Sequence, residues 1–242
     1  MSKHFENVAE LDVTATPEQV WDAIATGPGI DSWFMGRSEV EAGSVVRTAF
    51  GGYAPEQPVT AWDPPGRLAY GSEPAPDGRF VAYEFLVEGR AGGSTVIRAV
   101  TSGFLPGDDW EAEYDAMTFG FAMFHRTLVE YLNHFAGRTA RPLTVFGPPV
   151  GDWAAAWTSL FAALSLDGDA VRVAVPGLSP VDGTVYYRNE HTLGIRTPGA
   201  LYRFLRGFGG QFVAAHHIFD GTDTEPAWQR WLDNLSPEGT VR

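Results

Sequence analysis

Residues 108–135, DDWEAEYDAMTFGFAMFHRTLVEYLNHF, constrain this chain more than any other stretch. They hold one glycine, Gly120, and no proline. At a helical 100° per residue, Trp110, Tyr114, Met117, Phe121, Phe124, Leu128, Tyr131, Leu132 and Phe135 fall on one face. The spacing predicts a helix of about seven turns, capped by Asp108 or Asp109 and stopped by Gly137. Glu111, Glu113 and Asp115 suit the positive end of its dipole. Phe119 and Met123 point away from the stripe and require a second apolar partner, for which the C-terminal half is the expectation.

Around this helix the first half reads as short elements. An edge strand over 5–15 precedes TPEQVWDAIAT, a helix with Thr16 as N-cap, Pro17 at its first position and Gln19 completing a capping box. Gly27, Pro28 and Gly29 end that helix, and IDSWFMG gives one more helical turn carrying Trp33 and Phe34. Strands follow near 38–50, 57–63, 67–72, 79–88 and 94–103. The clearest is RFVAYEFLVE, where Val81, Tyr83, Phe85 and Val87 share one face. Sequential hairpins imply an antiparallel sheet with helices on one side, an α+β domain.

Gly and Pro concentrate in 136–151, which places a boundary there: a first domain over 1–138, a linker or short strand over 139–151, and a smaller α+β domain over 152–242. The second half runs helix, five short strands near 169–175, 181–188, 191–197, 200–206 and 211–219, then a last helix carrying Trp228, Trp231, Leu232 and Leu235. Its LTVFGPPVGDWAAAWTSLFAAL lies over LDVTATPEQVWDAIAT with modest matching, which suggests a degenerate internal duplication. A different strand order in the two halves would exclude it.

Four stretches in the first half carry a resemblance to a known superfamily. They are TPEQVWDAIATGPGIDSWF (16–34), VTAWDPPGRLAY (59–70), STVIRAVTSGF (94–104) and the long helix opening at Trp110. In order and spacing they resemble the SRPBCC, or START-like, superfamily, the helix-grip fold of birch-pollen-allergen-like proteins. The chain looks most similar to the branch of the Aha-type activator of a chaperone ATPase. The resemblance spans roughly residues 9–136. It implies a curved antiparallel sheet wrapped around the long helix, often with a cavity between them for an apolar or aromatic molecule. The superfamily shares no catalytic residue, so the fold does not fix the function.

On that expectation Trp33, Phe34, Trp62, Tyr70, Tyr83, Phe85, Phe104, Met117, Phe121, Phe124 and Leu128 are candidates to line the cavity, with Tyr114 and His125 as polar contacts. A filled aromatic core is the alternative. The leading expectation is non-catalytic binding of a small hydrophobic ligand. A protein-interaction role like that of a co-chaperone is one alternative, and a cyclase-type enzyme using His125 or a pocket tyrosine is another. No catalytic residue, cofactor or metal is assigned. His216 and His217 are neighbours in a strand, so they point to opposite faces and cannot chelate one ion together.

Composition removes further classes. With no cysteine there is no disulfide, thiolate metal site or thiol nucleophile. A net charge of −13 without a cluster of Lys and Arg argues against nucleic acid. Neither a G-x-S-x-G elbow nor a phosphate-binding glycine loop occurs. The N-terminus has no apolar signal core and no run is long enough to span a membrane, so the expectation is a cytoplasmic protein. A dimer is left open.

Overall fold

The computed structural model describes residues 3–49, 54–106, 110–207, 209–220 and 224–235. Within these, the side chains of residues 3, 110–113, 115–117 and 119 are outside the description. Trp110, Met117 and Phe119 are among them, so the expectations placed on those three side chains lie outside the described residues. The chain divides into two compact units, Met1–Thr139 and Ala140–Arg242.

In the first unit β1 (Lys3–Val13) leads into α1 (Pro17–Ala25) and the single turn α2 (Gly27–Ile30). The capping box forms as the sequence indicates: Gln19 N donates to Thr16 Oγ1 at 3.4 Å, and Thr16 N donates to Gln19 Oε1 at 3.0 Å. Thr26 then closes α1 and opens α2, donating its hydroxyl to Asp22 O at 2.7 Å and accepting from Gly29 N at 3.0 Å. Six strands follow: β2 (Arg37–Glu41), β3 (Val45–Ala49), β4 (Glu56–Asp63), β5 (Arg67–Gly71), β6 (Phe80–Gly89) and β7 (Thr95–Leu105). The stretch read as one strand over 38–50 is two, because Gly43 takes a φ of +69° and turns the chain back on itself. Last comes α3 (Trp110–His134).

The seven strands form one antiparallel sheet in the order β1-β7-β6-β5-β4-β3-β2. The first strand pairs with the last, and the rest form a meander. On β7 the burial alternates strictly: Thr95, Ile97, Ala99, Thr101 and Leu105 are buried, while Arg98 between them is exposed. α3 packs across β1 and β7, and Phe124, Leu128, Val129, Tyr131, Leu132 and Phe135 are all buried. Met123, on the back of the stripe, is fully buried too. This is the helix-grip architecture, so the resemblance read from the sequence holds at the level of fold.

The second unit begins with β8 (Arg141–Pro149), the stretch read as a linker or a short strand. Leu143 and Val145 point into its core, and β8 pairs with one neighbour only, so Pro142, Pro148 and Pro149 sit on an edge strand where missing N–H groups do little harm. Then come α4 (Trp153–Ala163), β9 (Ala170–Val173), β10 (Val181–Arg188), β11 (Thr192–Arg196), β12 (Ala200–Arg206), β13 (Gln211–Ile218) and α5 (Glu225–Asp233). The sheet order is β8-β13-β12-β11-β10-β9. Again the first strand pairs with the last and the rest form a meander, with one strand fewer. The element order also repeats: strand, helix, meander, helix. A shared strand order is what a degenerate duplication requires.

No helix among the described residues is long and apolar enough to cross a membrane.

Candidate functional site

The first unit holds a pocket between the sheet and α3. It is lined by Trp33, Phe34, Tyr70, Tyr83, Phe85, Thr101, Phe121, Phe124 and His125. Local sequence explains the convergence. Trp33 and Phe34 follow α2, and the Trp33 indole is pinned by its Nε1–H donating to Ala23 O at 2.9 Å. Tyr70 on β5 lies opposite Tyr83 on β6, and Tyr83 lies opposite Thr101 on β7. Those three, with Phe85 two residues along β6, therefore face the helix together. Phe121, Phe124 and His125 come from one face of α3, at the i, i+3, i+4 spacing.

Rings fill most of the space. Phe34 and Phe124 have centroids 4.6 Å apart, Tyr70 and Tyr83 5.3 Å, Tyr83 and Phe121 5.8 Å, and Trp33 and Phe85 6.4 Å. The remaining cavity is about 10 Å³, which is room for about one water. An open space of a few hundred Å³, the size that a drug-sized ligand fills, is not present in this pocket.

Burial sets the electrostatics. The His125 imidazole is held down to about 4 by desolvation, so it is neutral at pH 7. The Tyr70 hydroxyl is pushed well above the ordinary tyrosine range by burial, with Tyr83 adding to the effect. Among the described residues, the Tyr70 hydroxyl, the Thr101 hydroxyl and the His125 imidazole make no hydrogen bond to protein. Among the same residues no Lys, Arg, Asp or Glu lines the pocket.

Of the residues that the sequence singled out, Trp33, Phe34, Tyr70, Tyr83, Phe85, Phe121, Phe124 and His125 come together here. Trp62 instead meets Trp21 of α1 edge-on, at 5.1 Å. Phe104 is one residue out of phase with Thr101 and Leu105, so it points to the opposite face of β7, where its ring lies 4.8 Å from His4. The Tyr114 hydroxyl donates to Asn7 Oδ1 at 3.1 Å and helps fix α3 to β1. Leu128 is fully buried one turn beyond Phe124, outside the pocket. Thr101 is the lining residue the sequence reading missed. Its signal was the alternation of β7, which, once its pairing with β6 is known, puts Thr101 beside Tyr83.

Of the neighbouring histidines in the second unit, His216 packs into its core. His216 Nδ1 accepts from Arg203 N at 3.1 Å, and its ring stands edge-on to Trp228 at 4.2 Å. Burial, with the Arg203 charge, holds it well below the usual histidine range. Among the described residues no group of three or more His, Asp or Glu could hold a metal ion.

No family model matches the sequence, and no curated protein matches it either. Similar solved structures exist. The Aha1 dimer from Colwellia psychrerythraea is 21% identical over 53% of this chain and 96% of that one, with a TM-score of 0.44. DynU16, from the dynemicin biosynthetic locus, is 19% identical over 93% of this chain and 92% of that one, with a TM-score of 0.44. The di-domain ARO/CYC protein BexL from the BE-7585A biosynthetic pathway is 11% identical over 93% of this chain and 88% of that one, with a TM-score of 0.48.

Proposed function

We propose that the first unit binds a small hydrophobic, aromatic molecule between its sheet and α3, without chemical conversion. The observation that supports this is the convergence of seven aromatic side chains on one pocket from two strands, the segment after α2, and α3. Aromatic faces and edges offer a flat apolar guest the same offset and edge-on contacts they now make with one another. Because the resting cavity holds about one water, entry requires side chains to rotate. The Trp33 indole is fixed by its bond to Ala23, so Phe34, Phe121 and Phe124 are the rings that turn.

Catalysis by His125 is disfavoured on two counts. A group titrating near 4 is a weak base at neutral pH, far from the value that makes proton transfer efficient. Among the described residues no carboxylate lies in the lining to orient its ring or to stabilise an imidazolium.

Ligand-observed NMR with naphthalene, combined with amide shift mapping on the full chain, tests the reading. Saturable binding with shifts centred on Tyr83, Thr101 and His125 is expected. An absence of binding, or shifts centred in the second unit, would refute it.

A further inference from the structure

Within that reading, the polar atoms of the pocket narrow the class of ligand. Tyr70, Thr101 and His125 come from β5, β7 and α3, and all three reach the same small cavity. Each has hydrogen-bonding capacity that no described protein group takes up. None of the three is among the atoms sealed from solvent without a partner, so each is open to a guest or a water in the cavity. Three on one cavity form a set of partners waiting for an oxygen. Two hydroxyls that donate or accept, beside a neutral imidazole with one donor and one acceptor, suit a hydroxyl or a carbonyl.

The same lining lacks anything to neutralise an ion. Among the described residues it holds no cation for a carboxylate or phosphate and no anion for an amine. Placing an unpaired charge there costs far more than a hydrogen bond returns. We propose that the pocket selects an uncharged aromatic molecule carrying one hydrogen-bonding oxygen, and that Tyr70, Thr101 and His125 read that oxygen. Burial holds both Tyr70 and His125 in their uncharged forms, in keeping with such a site.

Three probes of equal ring size separate the contributions: naphthalene, 2-naphthol and 2-naphthoate, titrated into the full chain at pH 7. Naphthol is expected to bind roughly five- to ten-fold more tightly than naphthalene, the worth of one well-made hydrogen bond. Naphthoate is expected to bind at least roughly 100-fold more weakly than naphthol. Tyr70→Phe and Thr101→Val should each compress the naphthol-to-naphthalene ratio, with unfolding curves confirming that the variants are folded. Equal affinities for naphthol and naphthalene would overturn the inference and leave the apolar pocket standing. So would tight naphthoate binding that strengthens toward pH 5, which would mean a carboxylate pairing with protonated His125. Failure of all three probes to bind would overturn the pocket reading as well, leaving a single bridging water as the partner of the three groups.

Discussion

His125 shows how one buried side chain links stability to pH. Its folded-state value lies near 4, and its ordinary value is 6.5. Above about 6.5 neither the folded nor the unfolded chain holds the proton, and the folded state has its full stability. As the pH falls through 6.5 the unfolded chain gains a proton that the folded chain refuses, so stability is lost down to about 4, where the loss levels off. The difference amounts to about 3 kcal/mol. NMR titration of the His125 ring should show no movement between pH 8 and 5 and a transition near 4. A transition near 6.5 would mean that the ring is solvated. His125→Phe should flatten the fall in denaturant-measured stability over that range, without abolishing it, because His216 is depressed in the same direction. Single residues were also where the sequence was least legible. Aromatic identity picked out seven lining residues and position beside the stripe picked out His125, but Thr101 and Phe104 depend on strand phase, and phase depends on a register set by partners far along the chain.

At the scale of elements, local signals read through. Thr16, Pro17 and Gln19 are enough to start α1, and the apolar stripe is enough to declare α3. The β2–β3 hairpin and the edge strand β8 were harder to see, since a single positive-φ glycine makes the first and three prolines disguise the second. The α1–α2 junction offers a sharp test. A Cβ on Gly29 would collide with the Asp22 carbonyl, and one on Gly27 with the Ser38 carbonyl. Both obstacles are backbone, so α2 itself would have to move, carrying Trp33 and Phe34 with it. Gly29→Ala should therefore cost about 2–4 kcal/mol and weaken binding of the naphthyl probes. Denaturant unfolding and titration of the same variant check both effects. Gly120 predicts the opposite sign. It lies within α3, and among the described residues a Cβ there would meet only Phe124 at 3.9 Å, an ordinary contact. Gly120→Ala should stabilise the chain by about 0.5–1 kcal/mol through helix propensity alone, read as a raised Tm.

For the whole molecule, the informative fact is that two units of different length share one topology. Sequence matching at the start of each half hinted at a repeat, but it could not show that both sheets place their first strand beside their last, because that pairing joins residues about 60–100 apart in the chain. Where the first unit has its pocket between sheet and long helix, the second has a core filled by Trp228, Tyr202, Phe204, His216 and Trp231, with ring centroids between 4.2 and 5.9 Å. Every described lining residue of the pocket lies between 33 and 125, so binding should depend on the first unit alone. Trp228→Ala makes that testable. Trp228 is fully buried, and its removal from an aromatic cluster should cost about 3–5 kcal/mol. The tertiary signals of the second unit should then weaken or vanish, as seen in near-ultraviolet circular dichroism and in the amide spectrum of residues 140–235. Naphthol affinity should stay within about two-fold of the parent chain, because independent sites usually add within a few tenths of a kcal/mol. A collapse of binding alongside the second unit would show that the pocket depends on both units.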